Sequence, residues 1–168
     1  MPYRMKYPIP FGAKSSNKSM RGYYMKMCLI GGISMSLDFS IYSNDLITAE
    51  VLYEFVVELG GTIHKDSNGF TDGNIQINDE CIIVYYDDKL FFSEFEKEDW
   101  DYLVQKHQME PTFTIGIHIL SNSKKQLCVP LAKWFCKQLL IKYPNSIIEA
   151  YDTYYSFDTI DKIPLIWQ

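Results

Sequence analysis

The chain has 168 residues, 47% hydrophobic and 15% aromatic, with 21 acidic against 16 basic side chains and a formal net charge of −5. That length and apolar content suit one domain with a substantial core. The longest apolar runs, such as residues 81–84, fall far short of the roughly 20 residues that span a bilayer, so no membrane helix is expected.

Residues 1–22 contain Pro2, Pro8 and Pro10 and a polar, lysine-bearing run at 14–19. This composition predicts a basic, loosely ordered N-terminal arm, with a single domain over 23–168. The arm lacks a continuous apolar segment followed by a small-residue cleavage site, so a cytoplasmic location is expected. Residues 1–27 carry six basic side chains and no acid, which leaves 21 acids against ten bases in the remainder. A body so acidic repels phosphate backbones, because nucleic-acid binders gain affinity by neutralising phosphates. Direct nucleic-acid binding is not expected, whereas a basic protein is a suitable partner.

Residues 22–30 read as a strand closed by Gly31-Gly32. Two similar strands then organise the chain. Met35, Leu37, Phe39 and Ile41 alternate with polar residues, and Phe113, Ile115, Ile117 and Ile119 repeat the pattern 78 positions later. Each copy is followed by Ser-Asn, a helical pattern and another strand. In the first copy Thr48 is positioned to cap a helix, with Glu50 in its first turn and Ile47 placed to pack on Leu52. Val51, Leu52, Phe55, Val56 and Leu59 form its apolar stripe, and Gly60-Gly61 ends it. A short strand follows at 62–65. Between the copies, Ile75 and Ile77 and the run at 81–86 predict a hairpin turning at Asn78-Asp79. A further strand is placed at 90–92, and Trp100, Leu103 and Val104 support a helix over 97–107. The second copy leads to a helix opening near Pro130, with Leu131, Trp134, Phe135, Leu139 and Tyr143 as its buried stripe. A strand at 146–151 closes the unit. The tail from 152 is too apolar to be free in water and is expected to pack back on the domain.

This order predicts an α+β fold: a mixed or antiparallel sheet with helices packed mainly on one face. The topology reads as a ferredoxin-like, split-βαβ pseudo-repeat with a central hairpin insert.

Chemical motifs are sparse. Cys28, Cys81, Cys128 and Cys136 have no CxxC spacing, which argues against a disulfide framework and a zinc site. They read as small buried hydrophobes. Neither the dinucleotide fingerprint, nor the P-loop, nor a GxSxG elbow is present, and no cofactor is expected. His118 falls on the polar side of the second repeated strand. Asp38 lies near the equivalent position of the first, so the two are candidates for a general-base pair across neighbouring strands.

Carboxylates crowd the insert instead. Asp79, Glu80, Asp87, Asp88, Glu94, Glu96, Glu98, Asp99 and Asp101 are opposed only by Lys89 and Lys97. Aromatics including Phe91, Phe92, Phe95, Trp100 and Tyr102 lie among them. Tyr151, Tyr154 and Tyr155 form a second aromatic and acidic run with Asp152 and Asp158. Aromatic anchors ringed by carboxylates suit a docking face for a basic protein: the rings supply desolvated area and the charges speed encounter. The candidate partner-binding residues are therefore Asp87, Asp88, Glu94, Glu96, Glu98, Asp99, Trp100, Asp101, Tyr151, Tyr154 and Tyr155.

In this combination of small size, acidic charge, aromatic richness, α+β pattern and absence of a catalytic motif, the chain from Gly22 onwards resembles bacterial immunity proteins against polymorphic toxins, including those of contact-dependent growth inhibition. The resemblance implies a non-enzymatic protein that binds and neutralises a cognate toxin domain, often a nuclease, by covering its active site or substrate groove. A small-molecule-binding regulatory domain is the first alternative. An enzyme using His118 and Asp38 is the second.

Overall fold

The computed structural model describes residues 37–88, 97–124 and 126–165. The arm at 1–22, the strand placed at 22–30 with its glycine turn, the strand at 90–92 and Cys28 lie outside them. The described chain is α+β. Strands β1 (Leu37–Ser43), β2 (Thr62–Lys65), β3 (Thr71–Ile77), β4 (Glu80–Asp87), β5 (Thr114–Ile119), β6 (Ser146–Ala150) and β7 (Thr153–Tyr155) form one seven-stranded sheet. Helices α1 (Ala49–Glu58), α2 (Lys97–His107) and α3 (Val129–Lys142) follow β1, β4 and β5, and a 3₁₀ turn spans Ile160–Lys162.

The strand order is β2-β3-β4-β5-β1-β6-β7, and among the described strands every pairing is antiparallel rather than mixed. The two repeated strands lie side by side near its centre, in the register Leu37↔Ile119, Asp38↔His118, Phe39↔Ile117. Their alternation has a direct packing consequence, because residues two apart on a strand share a face. Phe39, Ile41, Ile115, Ile117 and Ile119 all point into one core with Ile75, Ile82, Val84 and Ile148.

Helices α1 and α3 close that core together, through Leu52, Phe55 and Val56 on one and Leu131, Ala132, Phe135, Cys136, Leu139 and Leu140 on the other. Phe55 and Phe135 meet with ring centroids 5.9 Å apart. The local signals for α1 act as the sequence implies. Thr48 Oγ1 accepts from Val51 N at 3.3 Å, and Ile47 and Leu52 are both buried. Gly60, at φ 84°, lets Gly60 N and Gly61 N turn back onto Val57 O and Val56 O, which closes the helix as a Schellman motif. Pro130 sits in the first turn of α3, where a missing N–H leaves no intrahelical bond unmade.

Helix α2 departs from this arrangement. Its Leu103 packs with Tyr42, Met109 and Ile147 in a separate small cluster. Tyr42 and Ile147 alternate with core residues Ile41 and Ile148, so α2 covers the opposite face of the sheet from α1 and α3.

Two further features add to the expected order. The strand after Asn145 does not end the sheet: it turns at Tyr151-Asp152 into β7, with Ala150 paired to Thr153. Both turn residues are left-handed, at φ 51° and 60°, the conformation of a type I′ hairpin turn that Asn-Gly usually signals. Beyond it the tail returns to the core, where Ile160 and Ile163 are buried against α3 and its neighbours.

Candidate functional site

The acidic insert does not make one surface. Asp79 and Glu80 stand at the turn where β4 begins, and Asp87 and Asp88 stand where it ends. An eight-residue strand advances about 3.3 Å per residue, so the two pairs lie on the order of 25 Å apart, at opposite ends of the sheet. The sequence-predicted site thus divides into an Asp87 end and an Asp79 end.

Asp87 and Asp88 stand at the end of the sheet that the C-terminal end of α2 reaches. Asp87 is half-buried and Asp88 exposed. On α2, Glu98 is exposed and Trp100 and Asp101 are half-buried; Asp99 belongs to the same helix. Glu94 and Glu96 lie outside the described residues. The C-terminal end of α2 is fastened at this end of the sheet by Asn44, whose side chain donates to Gln108 O at 2.8 Å and accepts from Glu110 N at 3.0 Å.

Of the three tyrosines of the terminal run, Tyr154 joins α2. Its ring centroid is 5.5 Å from Tyr102 and 4.9 Å from His107, while Tyr102 and His107 are 5.5 Å apart. Tyr102 remains 41% exposed, and Lys106 Nζ sits 5.0 Å above its ring. Burial and, secondarily, Lys106 pull the His107 imidazole below its ordinary pKa, which favours the neutral ring between the tyrosines. Under this group, Tyr42 donates to Glu149 Oε2 at 2.7 Å. Burial above all, then the Glu149 charge, pushes the Tyr42 hydroxyl well up, so it stays a donor.

Tyr151 and Tyr155 face the other way. Tyr151 packs edge-on against Phe39 at 5.6 Å and donates to Pro164 O, and Tyr155 leans on the main core. The reason is the strand period. Tyr154 and Tyr155 are consecutive on β7 and must point to opposite faces.

Asp38 and His118 occupy the same face of the sheet as Tyr42, nearer the Asp79 end. As register partners they meet directly, with Nδ1 of His118 2.7 Å from Oδ1 of Asp38. The imidazole is buried and the carboxylate half-exposed, so the polar side of β5 is covered rather than open to solvent at this point. A carboxylate on Nδ1 orients the ring, and Nε2 is itself buried. In the next row Gly116 sits beneath the ring of Tyr85, where a Cβ would stand 1.9 Å from the ring carbon.

The cysteines behave as small hydrophobes. Cys128 and Cys136 are buried, Cys81 is half-buried, and all three are free thiols raised in pKa chiefly by burial. Among the described residues no group of three or more His, Cys, Asp or Glu side chains is placed to hold a metal ion. No described helix is long and apolar enough to cross a membrane.

Sequence reasoning reached Tyr102, Tyr154 and the Asp38–His118 pair, but not the Tyr42–Glu149 bond or the closure of His107 between two tyrosines. Those contacts join positions 107 and 47 residues apart and leave no local pattern. Comparison with family models, curated proteins and solved structures returns no match for the chain.

Proposed function

We propose that this protein is an immunity protein that binds and neutralises a cognate bacterial toxin domain, a basic nuclease of the polymorphic or contact-dependent type, in the cytoplasm. The observation that carries this reading is the junction of α2 with β7. Two segments that each combine aromatics with carboxylates, more than 40 residues apart in sequence, are held together by the Tyr102–Tyr154–His107 contacts. The half-exposed rings can anchor a partner, and Asp87, Asp88, Glu98 and Asp101 supply the field that attracts a cationic one. On a nuclease, this field would stand in for the phosphates that its substrate groove attracts. Tyr151 and Tyr155 support the surface from the core side and do not touch the partner in this reading.

The two strand–helix–strand units, β1–α1–β2 and β5–α3–β6, form in this proposal a ferredoxin-like pseudo-repeat. The adjacency of β1 and β5 supports it. On one side β6 lies next to β1 as such a repeat requires; on the other the hairpin β3–β4 separates β5 from β2.

The test is association with the toxin domain encoded beside this chain. A tight complex is expected, and its association rate should fall about tenfold when Asp87, Asp88 and Glu98 are together reversed to lysine, with the difference shrinking at high salt. Tyr102→Ala should mainly speed dissociation. An association rate indifferent to these reversals removes the electrostatic basis of the proposal.

A second reading rests on the 2.7 Å contact between His118 and Asp38, which is the geometry of an oriented general base. In that reading the chain is an enzyme. Any activity found for the chain that persists unchanged in His118→Ala excludes this site.

A further inference from the structure

The Asp79 end of the sheet, which the proposed toxin interface does not use, holds a cleft of about 460 Å³ between the β3–β4 turn, the loop after β5 and the first turns of α3. Its size falls within the range of small-ligand pockets, roughly 300–1,000 Å³. Its lining includes the apolar Ile77 and Trp134, the core residue Leu131, and the charged Asp79, Glu80 and Lys124. Ile77 is 42% exposed and Trp134 half-buried, so the lining offers apolar area to an occupant.

The cleft is tied in place before anything enters it. Ser123 Oγ donates to Asp79 Oδ2 at 2.5 Å, joining the loop after β5 to the β3–β4 turn, and Cys81 N donates to Cys128 Sγ at 3.2 Å, joining β4 to the start of α3. Asn122 Oδ1 accepts from Lys124 N and Gln126 N, each at 3.0 Å, which holds the backbone at both residues. A site held this way loses little conformational freedom on binding.

The charges select the occupant. A simple cation would meet Lys124, and a simple anion would meet two carboxylates. A zwitterion satisfies both charges, and an apolar side chain on it covers the apolar lining. We infer that this cleft binds a free α-amino acid with an apolar side chain, its ammonium toward Asp79 and Glu80, its carboxylate toward Lys124 and its side chain along Ile77, Leu131 and Trp134.

Calorimetric titration of the full chain with L-leucine and L-phenylalanine tests this. Saturable binding of at least one with a Kd below about 1 mM is expected. Two relatives of leucine that each lack one charged group, isoamylamine and 4-methylpentanoate, should bind about tenfold more weakly or less, a loss equal to roughly one decade in Kd. Glu80→Gln and Lys124→Ala, checked for native circular dichroism, should each weaken leucine or phenylalanine about tenfold, and Trp134→Ala should abolish the heat. Absence of saturable heat with both amino acids up to about 10 mM overturns the inference. So does an affinity unchanged in both Glu80→Gln and Lys124→Ala, or equal binding by isoamylamine. Glu98→Lys, on α2 and outside the cleft lining, should leave the titration unchanged. An equal loss there overturns the placement, so the outcome is independent of whether a toxin binds.

Discussion

Gly116 shows how a single residue sets a face. Its lack of a side chain admits the Tyr85 ring against the β5 backbone, and a methyl group there would overlap the ring. Gly116→Ala is therefore expected to destabilise the fold by about 1–3 kcal/mol in urea titration, the usual cost of overpacking. The cost should be smaller when measured in a Tyr85→Ala background, because the two residues share one contact. Asp72 poses the opposite problem, a buried carboxyl without full compensation. Burial raises its pKa, the nearby His64 only partly opposes this, and Asp66 adds to it. A carboxyl with a raised folded-state pKa contributes most stability below its unfolded pKa and loses it as pH rises through the folded value. Stability should accordingly decline just above the ordinary aspartate range for this reason. Asp72→Asn should remove that decline and leave the protein more stable near neutrality, as unfolding free energies measured between pH 3 and pH 7 would reveal. The loss of the His64 contact offsets little, since that imidazole is largely exposed. An unchanged pH profile in Asp72→Asn would count against burial as the cause.

At the scale of elements, α2 differs in kind from α1 and α3. The latter share the main core, whereas among the described residues α2 rests on a cluster of four buried side chains, Tyr42, Leu103, Met109 and Ile147, with Tyr154 beside them. An element held by few buried contacts opens at lower free energy than the rest of the domain. Leu103→Ala should cost about 2–5 kcal/mol at its site. The expected signature is loss of amide-exchange protection along α2 with protection in α1, α3 and the central strands retained. Uniform loss across the sheet would show instead that α2 unfolds only with the whole domain. The same element explains what was readable beforehand. Its spacing of Trp100, Leu103 and Val104 announced the helix, and Leu103 is the residue that turns inward. Which face of the sheet it would cover was not announced, because a helical stripe states that a face is buried and not against what.

For the whole molecule, the antiparallel sheet separates the two proposed sites, with the Tyr102–Tyr154 contact on the face that α2 covers and the Trp134 cleft at the Asp79 end. The core between them holds Cys128 and Cys136 with no solvent exposure. Both thiols are raised in pKa chiefly by burial, so they should react only when the domain opens. In a background with both Cys28→Ser and Cys81→Ser, modification of Cys128 and Cys136 by iodoacetamide should follow global unfolding and speed up with urea in parallel with it. Labelling in native buffer at the rate of an exposed thiol would contradict the burial.

Alternation over 37–41 and 115–119, the Thr48 cap, the glycine stop after α1 and the Pro130 start of α3 determined the principal strands and helices by themselves, since each is a local preference of the backbone or a period of side-chain burial. The same alternation brought Asp38 near His118 before any contact was known. The tertiary structure alone decided the rest. It placed the two repeated strands beside each other, carried α2 to the opposite face, separated Tyr154 from Tyr151 and Tyr155, and parted Asp79 from Asp88 by the length of β4. Nearness along the chain made one acidic surface of residues that an extended strand holds far apart. Only the pairing of distant segments brought Tyr102 to Tyr154, because nonlocal contacts depend on strand order and register, which no short stretch of sequence encodes.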